Sequence, residues 1–349
     1  QEYQDNKIKV HSDEEVPSIA IIPFDNKGAD EDVFYAYGIS ADLISDCSGA
    51  GLIRVASLSD IEKLDYTNLD NTELSKKLLI RYITQGTLWK MGEMFQLSIE
   101  LYDTKDKKVV WSDRWQEKWD NLPKIKGSLS DGLLKALDTT SKVEKKVETT
   151  NTKAYELFLK ASHAYAKRKD TNDIESAREL LHQAIELDDN LITAKLLFGI
   201  TFFDMGDYDE AMEIYTPALE QAEKLADKTG MGLTLGSIGV VHYNRGEYAK
   251  ATEYLEKSLT IQKEIGFKGL ELLTTTYLNL SYKHLDKDYD KQHLHSLIKD
   301  IENIEFEVNF RLYQLLEDTS YLETAYTQVQ DTASEMEEET GKTFLSYPV

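Results

Sequence analysis

The chain has 349 residues, a formal net charge of −23, 41% hydrophobic and 30% charged residues, and only 5 prolines. That length accommodates two or three domains, and the composition is that of an ordered, helix-rich protein. The acidic balance argues against nucleic acid and anionic headgroups, the single cysteine rules out an internal disulfide, and runs such as SIAIIPF are too short to cross a bilayer.

Residues 1–15 are polar and read as a flexible lead-in. Residues 19–24 form a continuous apolar run, the mark of a strand covered on both faces, which Pro23 should end. The acidic turn DNKGADED then suits a helix N-terminus, and Phe34, Tyr37, Ala41, Ile44 and Cys47 recur on one helical stripe, with Cys47 as a core thiol. After SGAG, residues 52–56 read as a strand, and short helices follow near 59–64 and 72–79. The period then changes to two: RYITQGTLWKMG, EMFQLSIELYDT and KKVVWSDRWQEK alternate apolar and polar residues around turns at Gly92–Glu93 and 103–107. A helix over 121–136, with Pro123 in its first turn, closes a compact α/β sandwich. Trp89, Trp111, Trp115 and Trp119 are either meander core or a ligand platform.

The blocks AIIPFDN, YAYGISADL, RYITQGTLWKMGE, LSIELYD and KKVVWSDRW resemble, in order and spacing over about 100 residues, the TolB-like N-terminal domain. That resemblance implies a non-catalytic module of the kind fused to class III nucleotide cyclases and to membrane-anchored transcription regulators, and found in envelope proteins. It also implies a structural role for the Pro23–Phe24 corner and a turn at Gly38, holding strand to helix.

The threonine-rich, charged segment 139–150 reads as a linker between a first domain over 16–138 and a repeat region. GDYDEAMEIYTPAL from Gly206 and GEYAKATEYLEKSL from Gly246 match at a spacing of 40 residues, and Ala177 and Ala184 lie 34 residues before Ala211 and Ala218. The set Gly199, Gly206, Tyr208, Ala211, Tyr215 and Ala218, matched again by Gly239, Gly246, Tyr248, Ala251 and Leu255, resembles the tetratricopeptide repeat (TPR). Four repeats are expected over about 151–301, an all-α superhelical solenoid, the fourth lacking both signature glycines. Residues 302–349 read as capping helices, the last opening with a Ser320/Glu323 capping box and ending at Gly341.

Motifs that imitate chemistry fail on their required positions. GKT at Gly341 has Met336 where a phosphate loop needs glycine; GMGLTLG from Gly230 has Leu235 at the third glycine of a dinucleotide fingerprint and reads as a repeat-joining turn. DKDYDKQHLHSL from Asp286 puts Lys291 and Leu297 where a calcium loop needs glycine and glutamate, and His293 and His295 point to different helix faces. No paired-carboxylate, Ser–His or Cys–His pattern stands out, so no catalytic residue, cofactor or metal is expected.

In the repeat family the first helix of each pair lines a concave groove. Carried over by repeat position, the resemblance places Leu196, Ile200, Phe203, Val240, Tyr243, Asn244, Tyr277 and His284 there, with Phe203, Tyr243 and Tyr277 as an apolar ladder for a protein or peptide partner or for self-association. Members that clamp a carboxyl terminus carry asparagine where this chain has Ile200 and Val240, so that function is not expected. The two resemblances together are those of the C-terminal half of a bacterial class III cyclase. They imply a regulatory, non-enzymatic role in cyclic-nucleotide signalling, with the chain a soluble, extracytoplasmic portion of a membrane-anchored protein. Alternatives are a free-standing envelope scaffold or lipoprotein, and the sensor half of a transcription regulator. Gln1 is an unusual natural start, so a longer protein is expected.

Overall fold

Every residue of β1 (Ser18–Ile21) is buried, as a continuous apolar run requires of a central strand. The computed structural model describes residues 17–49, 53–139, 149–266, 268–299 and 304–334. It divides into two compact units, Gln1–Thr152 and Lys153–Val349. In the first unit the chain continues through β2 (Asp25–Asn26), α1 (Val33–Gly49), β3 (Arg54–Val55), α2 (Leu58–Glu62) and α3 (Asn71–Lys77). The meander β4 (Tyr82–Met91), β5 (Met94–Asp103) and β6 (Lys108–Lys118) precedes α4 (Leu122–Ala136). The sheet order is β3-β1-β4-β5-β6, with β2 also on β4; β1 is parallel to β3 and β4, and the meander is antiparallel.

Pro23 ends β1 as read from the sequence, because it has no N–H to give the ladder. Pairing persists through Ile22, whose N–H donates to the Thr84 carbonyl (2.9 Å), and resumes with Asp25 opposite Thr87. At the corner, the Phe24 N–H donates to Ser40 Oγ (2.8 Å), whose hydroxyl donates to the Ala36 carbonyl (2.9 Å). The Phe24 ring lies on Gly86, where a Cβ would come within 2.8 Å of it. The corner is therefore packing. Gly38, expected in a turn, is instead buried inside α1.

The stripe expected on α1 is displaced. The residues sealed against the sheet are Tyr35, Ala36, Ile39, Leu43 and Cys47, whereas Phe34 and Ala41 are only half-buried. Packing against both the sheet and α4 buries most of the circumference, so the stripe has no sharp edge in sequence. Phe95, Leu97, Ile99 and Leu101 of β5 point to this helical side. Trp111 of β6 lies over Gly132 of α4, where a Cβ would meet its indole at 2.6 Å.

The regular elements described for the second unit are all helices: α5 (Thr152–Ala166), α6 (Thr171–Leu187), α7 (Ile192–Phe203), α8 (Tyr208–Leu225), α9 (Lys228–Asn244), α10 (Tyr248–Ile265), α11 (Lys268–His284), α12 (Lys291–Lys299), α13 (Phe306–Leu316) and α14 (Thr319–Ser334). The repeat residues carry the packing. Ala177, Ala184, Ala211, Ala218 and Ala251 are fully buried, and Gly199 and Gly239 receive Tyr215 and Leu255 from the second helix of their own pairs. Gly206 (φ +80°) and Gly246 (φ +73°) turn each pair through the left-handed region, and in the fourth pair Asp286 (φ +54°) takes that conformation. The same backbone bond recurs at all three turns: Asp207 N–H to Phe202, Glu247 to His242 and Lys287 to Tyr282, at 3.0, 2.9 and 2.9 Å.

Two local expectations are corrected. Residues 230–236 are not a turn but part of the first half of α9, whose N-terminus is capped by Asp227 accepting from the Gly230 N–H (3.0 Å). Asp318, not Ser320, caps α14, accepting from both the N–H (3.0 Å) and the hydroxyl (2.8 Å) of Ser320. In the region expected to cap the repeats, α13 and α14 pack on each other as a fifth helix pair, and α13 packs on α11. Gly341 and most of the expected 139–150 linker lie outside the described residues.

Candidate protein-interaction surface

The eight groove residues do not share one exposed face. Leu196 is 6% exposed and packs with Ile192, Tyr215 and Ile238, with Ile200 and Phe203 partly buried around that cluster. Tyr243 (8%) and Tyr277 (1%) belong to a second cluster with Leu280 and Leu312, against which Val240 packs. His284 is exposed and stacks on Tyr248, centroids 4.1 Å apart and rings 1° from parallel. The Asn244 amide folds back onto its own helix, donating to the Val240 carbonyl (2.9 Å). Phe203–Tyr208 and Tyr243–Tyr248 both have centroids 5.6 Å apart, the same contact in successive repeats.

The solvent-facing ladder of Phe203, Tyr243 and Tyr277 is thus corrected: Leu196, Tyr243 and Tyr277 are core. For the two tyrosines the cause is α13. The Tyr277 hydroxyl donates to Glu307 (2.5 Å) and accepts from Arg311 Nε (3.2 Å). The Arg311 guanidinium lies 5.4 Å from the Tyr277 ring centroid and 5.8 Å from that of Tyr243. Burial, and then the charge of Glu307, push the Tyr277 hydroxyl well above the ordinary tyrosine range, and burial raises that of Tyr243. Both stay neutral as core groups, Tyr277 with its hydroxyl hydrogen-bonded. Glu307 and Arg311 lie outside the groove expected from the repeats; their only signal in the sequence is a charged pair inside the apolar helix FEVNFRLYQLL. What remains accessible on the first helices is Ile200, Phe203, Val240 and Asn244, half-buried, and His284.

On α6 and α7, an open cleft of about 610 Å³ is lined by Glu175, Arg178, His182, Phe198 and Phe202 among others. Its arginine serves the fold. Arg178 donates to the Thr201 carbonyl (2.7 Å) and to Glu175 (2.6 Å), and its guanidinium lies 3.9 Å from the centre of the Phe202 ring. Trp119 is core at 6% exposure and Trp111 and Trp115 are half-buried, whereas Trp89 is 45% exposed. Among the described residues no helix is long and apolar enough to cross a membrane.

Residues 190–264 match the tetratricopeptide repeat family model, and residues 14–131 match that of the HilA/YgeH-like transcriptional regulator, second domain. A curated relative, putative adenylate cyclase 3 of Rhizobium meliloti (strain 1021), is 26% identical over 191 residues, 53% of this chain. The match spans 32% of that relative's length. Among solved structures, TolB from Acinetobacter baumannii is similar at 19% identity and a TM-score of 0.28, over 35% of this chain and 28% of that one. Aspartyl phosphate phosphatase F from Bacillus subtilis is similar at 19% identity and a TM-score of 0.36, over 63% and 53%. The repeat match and the cyclase relative agree with the arrangement read from the sequence, a TolB-like mixed-sheet domain followed by TPR-type repeats, and such repeats suggest protein interaction.

Proposed function

We propose that this chain is a non-catalytic regulatory and protein-interaction region of a larger bacterial signalling protein, a membrane-anchored class III adenylate or guanylate cyclase. The observation that carries the reading is the alignment with a putative adenylate cyclase of which the chain spans only 32%. In this account residues 16–138 are the sensing domain, 139–150 the linker, 151–301 the repeats and 302–349 the cap, on the extracytoplasmic side. The repeats take a protein or peptide partner, or a second copy, along Ile200, Phe203, Val240, Asn244 and His284.

A second reading, the sensor half of a transcription regulator, is favoured by the match of residues 14–131 to a regulator domain. The coding sequence upstream of Gln1 separates the two. An in-frame class III catalytic domain supports the first reading. A DNA-binding domain in that place overturns it in favour of the second.

A further inference from the structure

Toward its hairpin end the meander is covered on one face only; at the other end Ile83 of β4, on the face away from α1 and α4, is fully buried. Phe95, Leu97, Ile99 and Leu101 are buried toward α1 and α4, while the alternate residues Gln96 and Ser98 are half-buried and Glu100 is exposed. On that open face Trp89, near the hairpin end of the central strand β4, is 45% exposed. It lies directly opposite Gln96, which lies opposite Gln116, so the three side chains form one cross-strand row. Toward one end the next row carries Ser98 and Arg114; toward the hairpin, Met91 and Met94 continue the apolar end.

Two features give this face a ligand chemistry. The side chains of Gln96, Glu100, Arg114 and Gln116 have no hydrogen-bond or ion-pair partner among the described residues, so planar amide, guanidinium and carboxylate groups are all available. Beside them lies a flat, uncovered indole. A pyranose ring has the complementary surface: a C–H face that stacks on an aromatic ring, edged by hydroxyls that both donate and accept. Strands about 4.8 Å apart, with a rise of about 3.4 Å per residue, make three rows on three strands a platform of roughly 10 by 14 Å, enough for a short oligosaccharide. The alternatives fit less well. Nucleic acid requires a positive surface, which a net charge of −23 does not favour. A protein partner wants an apolar centre, and here amide, hydroxyl and charge adjoin the indole. The backbone of β4 and β5 is already laddered on both sides, so recognition would fall to these side chains.

We propose that the open face of the meander, centred on Trp89, binds a saccharide chain. The inference does not depend on the repeats or on what precedes Gln1. The test is a titration of the whole isotope-labelled chain with chitotetraose and with cellotetraose, following the indole N–H of Trp89 and the side-chain amides of Gln96 and Gln116 by NMR. A saturable shift of these signals with either sugar is expected. Trp89→Ala, at an exposed position, should leave the rest of the spectrum intact and weaken binding about tenfold or more, and Gln96→Ala should weaken it further. No shift with either sugar at about 10 mM, tenfold above the millimolar affinity a shallow platform supports, overturns the proposal. So does binding unchanged in Trp89→Ala, or a response of the same signals to a single-stranded oligonucleotide or a peptide but to neither sugar.

Discussion

Tyr243 of α9 and Tyr277 of α11 hold their rings 5.1 Å apart and 78° from parallel, an edge-to-face pair that joins the third helix pair to the fourth. Both are core residues. Tyr243→Ala should therefore cost about 3 kcal/mol or more of folding stability, the penalty for emptying a buried aromatic site. Tyr243→Phe keeps the ring and should cost far less. Denaturant unfolding of the second unit measures both; an unchanged midpoint for the alanine variant would place the ring outside the core.

Two helix glycines should respond in opposite directions. At Gly199 a methyl group would run into the buried Tyr215 ring, so Gly199→Ala should lose about 1–3 kcal/mol by overpacking despite its better helix propensity. At Gly127 the space beside the Cα is open, and Gly127→Ala should gain up to about 1 kcal/mol. Paired thermal melts decide the signs.

The first unit should weaken in acid through Asp103. Burial raises its carboxyl pKa, but hydrogen bonds from the Arg81 side chain and from the backbone of Asp106 and Lys105 outweigh this and hold it below the ordinary aspartate range. Because the folded value is the lower one, the stabilisation is complete above the unfolded pKa, near 4, and is lost as pH falls through the folded value. Asp103→Asn should flatten this acid limb while lowering stability at neutral pH; an acid limb identical to wild type would assign it to other carboxylates.

Cleavage should also report the architecture. Threonine-rich, charged residues at 139–150 cannot build a core, so limited proteolysis is expected to cut there first and release two folded pieces. A first cut inside α7 to α10 would contradict that boundary.

Local signals marked most of the fold in the sequence. The period-two blocks gave the meander to within a residue or two, Pro23 ended its strand, and the glycine and alanine spacing located the repeats. What failed depended on distant contacts. The α1 stripe was displaced because helix and sheet both pack on it, and the glycines at 230–236 joined α9 because tertiary packing overrides their turn preference. The groove lost Tyr243 and Tyr277 to the core because α13, which begins 63 and 29 residues after them, brings Arg311 against both and Glu307 against Tyr277. Repeat spacing identifies equivalent positions within repeats, but it does not show what a later helix covers.

The central claim, a non-catalytic regulatory region of a cyclase, is tested most directly by cyclic-nucleotide formation from ATP and GTP with magnesium or manganese. The isolated chain and the intact natural protein are assayed side by side, the latter with and without Val240→Glu on the repeat surface. The account predicts no product from the isolated chain, product from the intact protein, and a severalfold change in its rate when Val240 is charged. Sustained turnover by the isolated chain, or an intact protein whose rate ignores Val240→Glu and removal of the repeats, would contradict it.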